Sequence, residues 1–417
     1  MGRYPGGIGL PGLRWFDRSR ATCSFPTFAR SYVGHQMRRV DRDLDPSAPT
    51  LFELSDRSVG ALSVISRGLP SRDRVTTSTA RVARTHFSGN VRGWLDIDRE
   101  IVEAVVRRVR DERPKFVFSA LTGIDKSSHA QGHDAPIVGD AIAIVDELVA
   151  RIRGDAERLG YWDDTHVWIT SDHGHSRVRQ HDDLARGISD LGLRVMSHPW
   201  IFTLAPQAAV MVSGNAMAHV YVELDQRKRP LWGALRRRWE PLAHALLERP
   251  AVDLLLLPNE QAGCEVRSRD RGTAVVTTDG QRVGYRRLSG DPLGLGADLK
   301  RLDSGSAYEA TIDTDYPDSL VQIATIANAP RAGDIILSAA RDWDFRARYE
   351  PIPHVSSHGA LHREHMLVPL VMNRPPAQVP RRTVDVMPSA LAALGIEAPA
   401  GLDGTSFVTR ARRTRAA

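Results

Sequence analysis

Residues 165–175 read THVWITSDHGH. The first half, Val167, Trp168 and Ile169 between Thr165 and Thr170, is β-branched or aromatic and predicts a buried strand. The second half breaks at Ser171 into an Asp-His-Gly-His cluster. Neighbouring side chains of a regular strand point to opposite faces, so Asp172 and His173 can meet at one point only past the strand end. Gly174 makes a turn there inexpensive. Open α/β sheets bind ligands at the carboxyl ends of their strands, so this stretch predicts a sheet and a site together.

Working upstream, residues 137–159 carry Ile142, Val145, Leu148, Val149 and Ile152 at helical spacing. Residues 115–121 (KFVFSAL) predict a buried strand, and 96–112 predict a helix with Ile97, Ile101, Val102, Val105 and Val109 on one face. Strand, helix, strand at this spacing is the unit of a largely parallel sheet. Residues 59–65 predict another strand, 76–87 are ambiguous, and 1–50, rich in Gly, Pro, Arg and Ser, predict irregular structure over a surface. Downstream, helices are expected at 183–191, 231–247, 319–327 and 383–394. Strands are expected at 200–204, 215–224, 252–257, 334–339 and 367–372. Residues 273–278 and 281–288, joined at Asp279-Gly280, predict a hairpin within a β-rich insertion at about 260–300. The expectation is one α/β domain over residues 1–408, with a small β appendage at the sheet edge and a disordered tail at 409–417.

Composition narrows the functional classes. Of 417 residues, 42% are hydrophobic and 25% charged, as in an ordinary globular protein. There is no apolar run long enough to span a bilayer, and the opening MGRYPGGIGLPG has no signal-peptide core. Cys23 and Cys264 make no disulfide framework, so a reducing, cytoplasmic setting is expected. The net charge of +6 suits a small anionic substrate. The arginines are scattered through helical-looking segments, so nucleic acid is not expected as a primary partner; oligomeric state is not readable.

Three stretches carry chemistry beside predicted strands. Asp125 and His129, four apart in GIDKSSHAQG, share one face of a helical turn. Asp172 and His173 follow the organising strand, and His358 precedes the 367–372 strand. Two carboxylates and three imidazoles form a mixed oxygen and nitrogen set suited to zinc, with manganese or iron as alternatives, rather than calcium. Two such ions about 3.5–4 Å apart clamp a phosphoryl group between an activated nucleophile and a leaving oxygen. His175, His181 and Asn215 are candidates to orient ligands or touch substrate. His133, His354, His362 and His365 read as ordinary polar or solvent-facing residues, with one of them a candidate to touch substrate.

The chain resembles the alkaline phosphatase superfamily, in its type I phosphodiesterase/nucleotide pyrophosphatase branch. The resemblance rests on GRYPG at 2–6, PGLRWFDR at 11–18, GIDKSSHAQG at 123–132, SDHGHS at 171–176, GNAMAHVYV at 214–222, SSHGALHREHMLVPLVM at 356–372 and LDGTSF at 402–407. It implies an α/β/α sandwich and metal-dependent hydrolysis of phosphoesters with two divalent ions. One ion would be held by Asp125, His129 and His358. The other would be held by Asp172, His173, and an aspartate and hydroxyl nucleophile from a first strand. In this sequence Met1 directly precedes the GRYPG segment, so that nucleophile and aspartate are absent and only one metal site is complete. Thr22, Ser24 and Thr27 lie downstream of the matched segment, and Cys23 lacks a sulfatase-type Cys-x-Pro-x-Arg pattern. Two explanations stay open: a start at an internal methionine of a longer, active protein, or an inactive relative that binds one metal and a phosphoester.

Overall fold

The computed structural model describes residues 1–20, 28–33, 35–198, 203–260, 263–346 and 353–410. The expectations for Thr22, Cys23, Ser24 and Thr27, for most of the 200–204 strand and for the tail beyond 410 fall outside these residues.

The longest apolar run, in Val252–Asn259, shows how the main layer forms. Leu255 and Leu257 pack to one face with Leu235, Trp239 and Leu246 of the Trp232–Leu247 helix. Leu254 and Leu256 alternate to the other, against Leu320, Ile323 and Ala324 of the Ser319–Ala327 helix. A strand buried on both faces reads as a continuous apolar run. It sits within a nine-stranded sheet ordered Leu299–Leu302, Val283–Gly290, Gly272–Thr278, Gly263–Ser268, Val252–Asn259, Ile335–Ala339, Met217–Val222, Ala208–Ser213 and Val195–Ser197.

The α/β/α sandwich is therefore present, but the sheet is mixed. Only Val195–Ser197 beside Ala208–Ser213 is parallel in the nine-stranded layer; the other pairs are antiparallel. The expected largely parallel arrangement therefore does not hold in this layer. From residue 263 to 290 the chain returns by short turns instead, the predicted Asp279-Gly280 hairpin among them, and short turns join antiparallel neighbours. The β-rich stretch thus forms one flank of this sheet.

The parallel part is small. Ser58–Ala61 lies between Arg74–Val75 and Phe116–Ser119, parallel to both. Trp168–Thr170 pairs with Leu370–Met372, antiparallel. Helices Val91–Glu112 and Pro136–Arg158 cover the first group through Ile101, Val105, Ala141, Ile144 and Leu148. The strands at 116–119 and 168–170 are not buried as expected: their side chains are half-buried or exposed.

Nor does all of the described N-terminal segment run over a surface. Arg14–Phe16 pairs with Ala29–Ser31, and Trp15 and Phe16, each 1% exposed, pack on Met211 and Tyr221 of the main sheet. Glycine and proline density reported irregular backbone correctly, but irregular backbone can be buried when its polar groups find partners.

Candidate metal centre

The Phe116–Ser119 strand leads into the Gly123–Gln131 helix, whose first turn carries Asp125 and whose last carries His129. That helix starts on a buried carboxylate: Asp98 accepts from the backbone N–H of Thr122 at 3.0 Å and of Gly123 at 2.6 Å. The Trp168–Thr170 strand ends just before His173 and His175. His358 arrives from the other side of the chain, backed by an isolated bridge to Asn215.

These elements converge on one carboxylate oxygen. Asp125 Oδ1 lies 3.1 Å from His129 Nε2, 3.1 Å from His175 Nε2 and 3.7 Å from His358 Nε2. Its other oxygen accepts from Lys126 Nζ at 2.9 Å. One donor atom each from Asp125, His173, His175 and His358 falls within a mutual 4.8 Å. The rings of His173 and His358 stack 3.4 Å apart at 3°.

Hydrogen bonding shows what this set is built to hold. His129 Nδ1 faces the Ser356 carbonyl at 2.9 Å, and a carbonyl only accepts, so Nδ1 carries the proton. In the neutral ring Nε2 then presents a lone pair to a carboxylate oxygen. His173 Nδ1 faces the Gly174 carbonyl at 3.2 Å with the same consequence for its Nε2. Lone pairs gathered around a carboxylate need a cation between them, and one carboxylate with three imidazoles is a set that divalent transition ions favour. Charge states agree. Burial pushes the Asp125 carboxyl up, but the opposing effects, led by the Lys126 ammonium beside it, hold it well below the usual range. Burial, with His173 beside it, holds His358 well below its ordinary value, and burial lowers His175 despite Asp125. His358 and His175 are thereby kept in the neutral form that binds metal.

Of the residues singled out from sequence, Asp125, His173 and His358 lie in the cluster, and His129 touches Asp125. Asp172 does not converge: its carboxylate is 86% exposed, 3.4 Å from His173 Nε2. His175, expected only to orient or touch substrate, supplies a converging nitrogen. His181 is turned to Asp344, 2.6 Å away. Asn215 Nδ2 lies 2.7 Å from His354 Nδ1, and His354 stacks on His129 with ring centres 4.1 Å apart. His354 and His365 are therefore not ordinary solvent-facing histidines. Burial pulls both down to about 2, and His365 Nε2 reaches Ser176 Oγ at 2.8 Å. The signal for them was the density of histidine in 354–365 itself.

The model of the type I phosphodiesterase / nucleotide pyrophosphatase family matches residues 2–361. No curated protein sequence matches the chain. Among solved structures, murine ectonucleotide pyrophosphatase/phosphodiesterase 5 is similar at a TM-score of 0.55 and 12% identity, over 97% of this chain and 83% of that one. The human enzyme of the same name gives 0.54 at 12% identity, with the same coverage. Phosphonoacetate hydrolase from Sinorhizobium meliloti gives 0.49 at 14% identity, over 94% and 82%. The first two share the fold. They also correct the cytoplasmic expectation, because ectonucleotide pyrophosphatases are extracellular enzymes. Two distant cysteines, with Cys264 buried and free, show only that no disulfide framework is needed, which holds on either side of a membrane. No helix among the described residues is long and apolar enough to cross a membrane.

Proposed function

The chain belongs to the type I phosphodiesterase / nucleotide pyrophosphatase family, and from that premise we propose that it binds one divalent cation and, through it, a small phosphoester. The observation that carries this reading is the single convergent group of Asp125, His173, His175 and His358. These four would hold the ion, which when bound neutralises charge on non-bridging phosphoryl oxygens. The chain's own part is orientation. The Ser356 carbonyl fixes the ring of His129, and Lys126 holds the outer oxygen of Asp125 so that the inner one faces the histidines. Zinc is favoured by the donor set, with manganese and iron as alternatives.

A second reading, phosphoester hydrolysis by a two-metal mechanism, is favoured by two donors beside the cluster: His129 and the exposed Asp172. Metal counting after zinc or manganese loading and dialysis separates the readings. About one ion per chain is expected, with AMP, the ligand of a murine structure of similar fold, binding only to the loaded protein. His358→Ala should weaken metal binding by more than the roughly 10–100-fold that loss of an outer-shell partner costs. About two ions, with turnover of an aryl phosphodiester that Asp172→Ala abolishes, would favour the hydrolase. Failure to retain any ion would overturn both.

A further inference from the structure

The two residues of the Ser356–Ser357 strand are both fully buried, and as neighbours on a strand they point to opposite faces. Ser357 Oγ donates to the Gly214 carbonyl at 3.1 Å. Ser356 turns to the histidines instead and offers them two groups of different chemistry. Its carbonyl faces His129 Nδ1 at 2.9 Å, while its hydroxyl lies 3.2 Å from His175 Nδ1 and 3.4 Å from His133 Nδ1. Backbone contacts fix it in place. The Val355 N–H donates to the His129 carbonyl at 2.9 Å, and Ser356 and Ser357 pair with Arg177 and Ser176.

A carbonyl only accepts, whereas a hydroxyl donates, accepts and rotates to suit its neighbours. His129 is therefore confined to one tautomer, with its proton on Nδ1. His175 is not confined. With its proton on Nε2 it donates to Asp125 Oδ1, 3.1 Å away, and its Nδ1 accepts from the Ser356 hydroxyl. With its proton on Nδ1 it donates to that same hydroxyl, and its Nε2 offers a lone pair. The hydroxyl then has its own proton to place, and His133 Nδ1 is an acceptor within reach. His133 is exposed, just past the end of the Gly123–Gln131 helix.

We propose that Ser356 is a positioning residue for the metal centre. Its carbonyl locks His129 in one tautomer, and its hydroxyl lets His175 exchange tautomers when that ring gives Nε2 to a cation, with the hydroxyl's own hydrogen bond passing to His133. The exchange balances within the ring. His175 keeps a single proton, which leaves Nε2 for Nδ1; none is taken up or released overall, and Ser356 only rotates. Outer partners of this kind set the orientation and tautomer of metal-binding imidazoles. Binding of a cation is thereby felt at an exposed histidine outside the converging group. The inference rests on the cation-binding reading above and adds to it the side chain that makes His175 able to serve as a ligand.

Nitrogen NMR of the imidazole rings, which separates a protonated from a bare nitrogen, tests this with zinc as the probe. In the zinc-free chain His175 should carry its proton on Nε2, and in the loaded chain on Nδ1, while His129 carries it on Nδ1 throughout. The His133 ring should shift on loading. Ser356→Ala keeps the carbonyl and removes only the hydroxyl. It should leave the His129 tautomer unchanged, abolish the response of His133 and weaken zinc binding by roughly 10–100-fold in chelator competition. Ser356→Thr, which restores a hydroxyl, should recover most of that affinity. A His175 proton on the same nitrogen in both states would overturn the proposal, as would a Ser356→Ala variant that binds zinc as tightly as the parent. In either case zinc is still bound and the proposed function stands. A parent chain that retains no ion at all overturns the proposed function, and this inference with it.

Discussion

Asp98 shows how one side chain sets the metal centre from outside it. It is 1% exposed and spends its carboxylate on the two N–H groups that open the helix of Asp125. Burial pushes its carboxyl up to about 6, against the lowering effect of those N–H groups. The folded state therefore holds this proton more tightly than the unfolded chain, whose value is near 3.8. The resulting stability is fully present below that value and is lost as pH rises through about 6. Asp98→Asn cannot titrate. The denaturation midpoint of the native protein relative to this variant should fall between pH 4 and 6 and be flat above 7; a difference independent of pH would refute the assignment. The signal was in the sequence: Asp98 stands three and four residues before Ile101 and Val102, on the apolar face of its helix. A lone acid on such a face marks a buried partner, but which backbone it meets depends on tertiary structure.

The elements were legible in kind and less so in setting. Periodicity located the helices Val91–Glu112 and Pro136–Arg158 to within a few residues, because their apolar faces meet a sheet. The quoted turn was legible as a site, but the need for Gly174 was misassigned. Its φ is not left-handed; what it allows is contact. Its N–H donates to the His365 carbonyl at 2.9 Å, and a Cβ there would overlap the Glu364 carbonyl oxygen, part of the Arg363–Met366 helix. No local pattern could reveal an approach between residues nearly two hundred apart. Gly174→Ala should destabilise the protein by about 1–3 kcal/mol, as overpacking against fixed backbone does. It should also weaken metal binding, because His173 and His175 flank the displaced turn. Denaturation and metal titration on the same variant check both, and an unchanged denaturation midpoint would refute the contact.

At the scale of the whole molecule, the fold class was legible from the order of motifs, whereas strand direction was extrapolated from one crossover unit to a sheet built mainly of antiparallel neighbours. The N-terminal segment was the larger surprise. Arg18 forms a buried ion pair with Asp334 and also donates to the Val222 and Glu223 carbonyls at 2.8 and 2.9 Å. Removing one partner of such a pair leaves the other charge buried and alone, at a cost of about 3–5 kcal/mol. Arg18→Ala should show that loss in a urea melt, and Arg18→Met with Asp334→Leu should recover most of it; a single variant as stable as the parent would contradict the pairing. The same stitching has a consequence for synthesis. Tyr4 donates to Asp403, Arg14 to the Val212 carbonyl, and Arg18 to Asp334, so the first twenty residues find their partners among those made in the middle and at the end. At ribosomal rates of about 5–20 residues per second, Trp15 and Phe16 wait roughly 10–40 s before Met211 and Tyr221, on which they pack, have been made. For that interval these two aromatic residues are a chaperone's concern rather than the fold's.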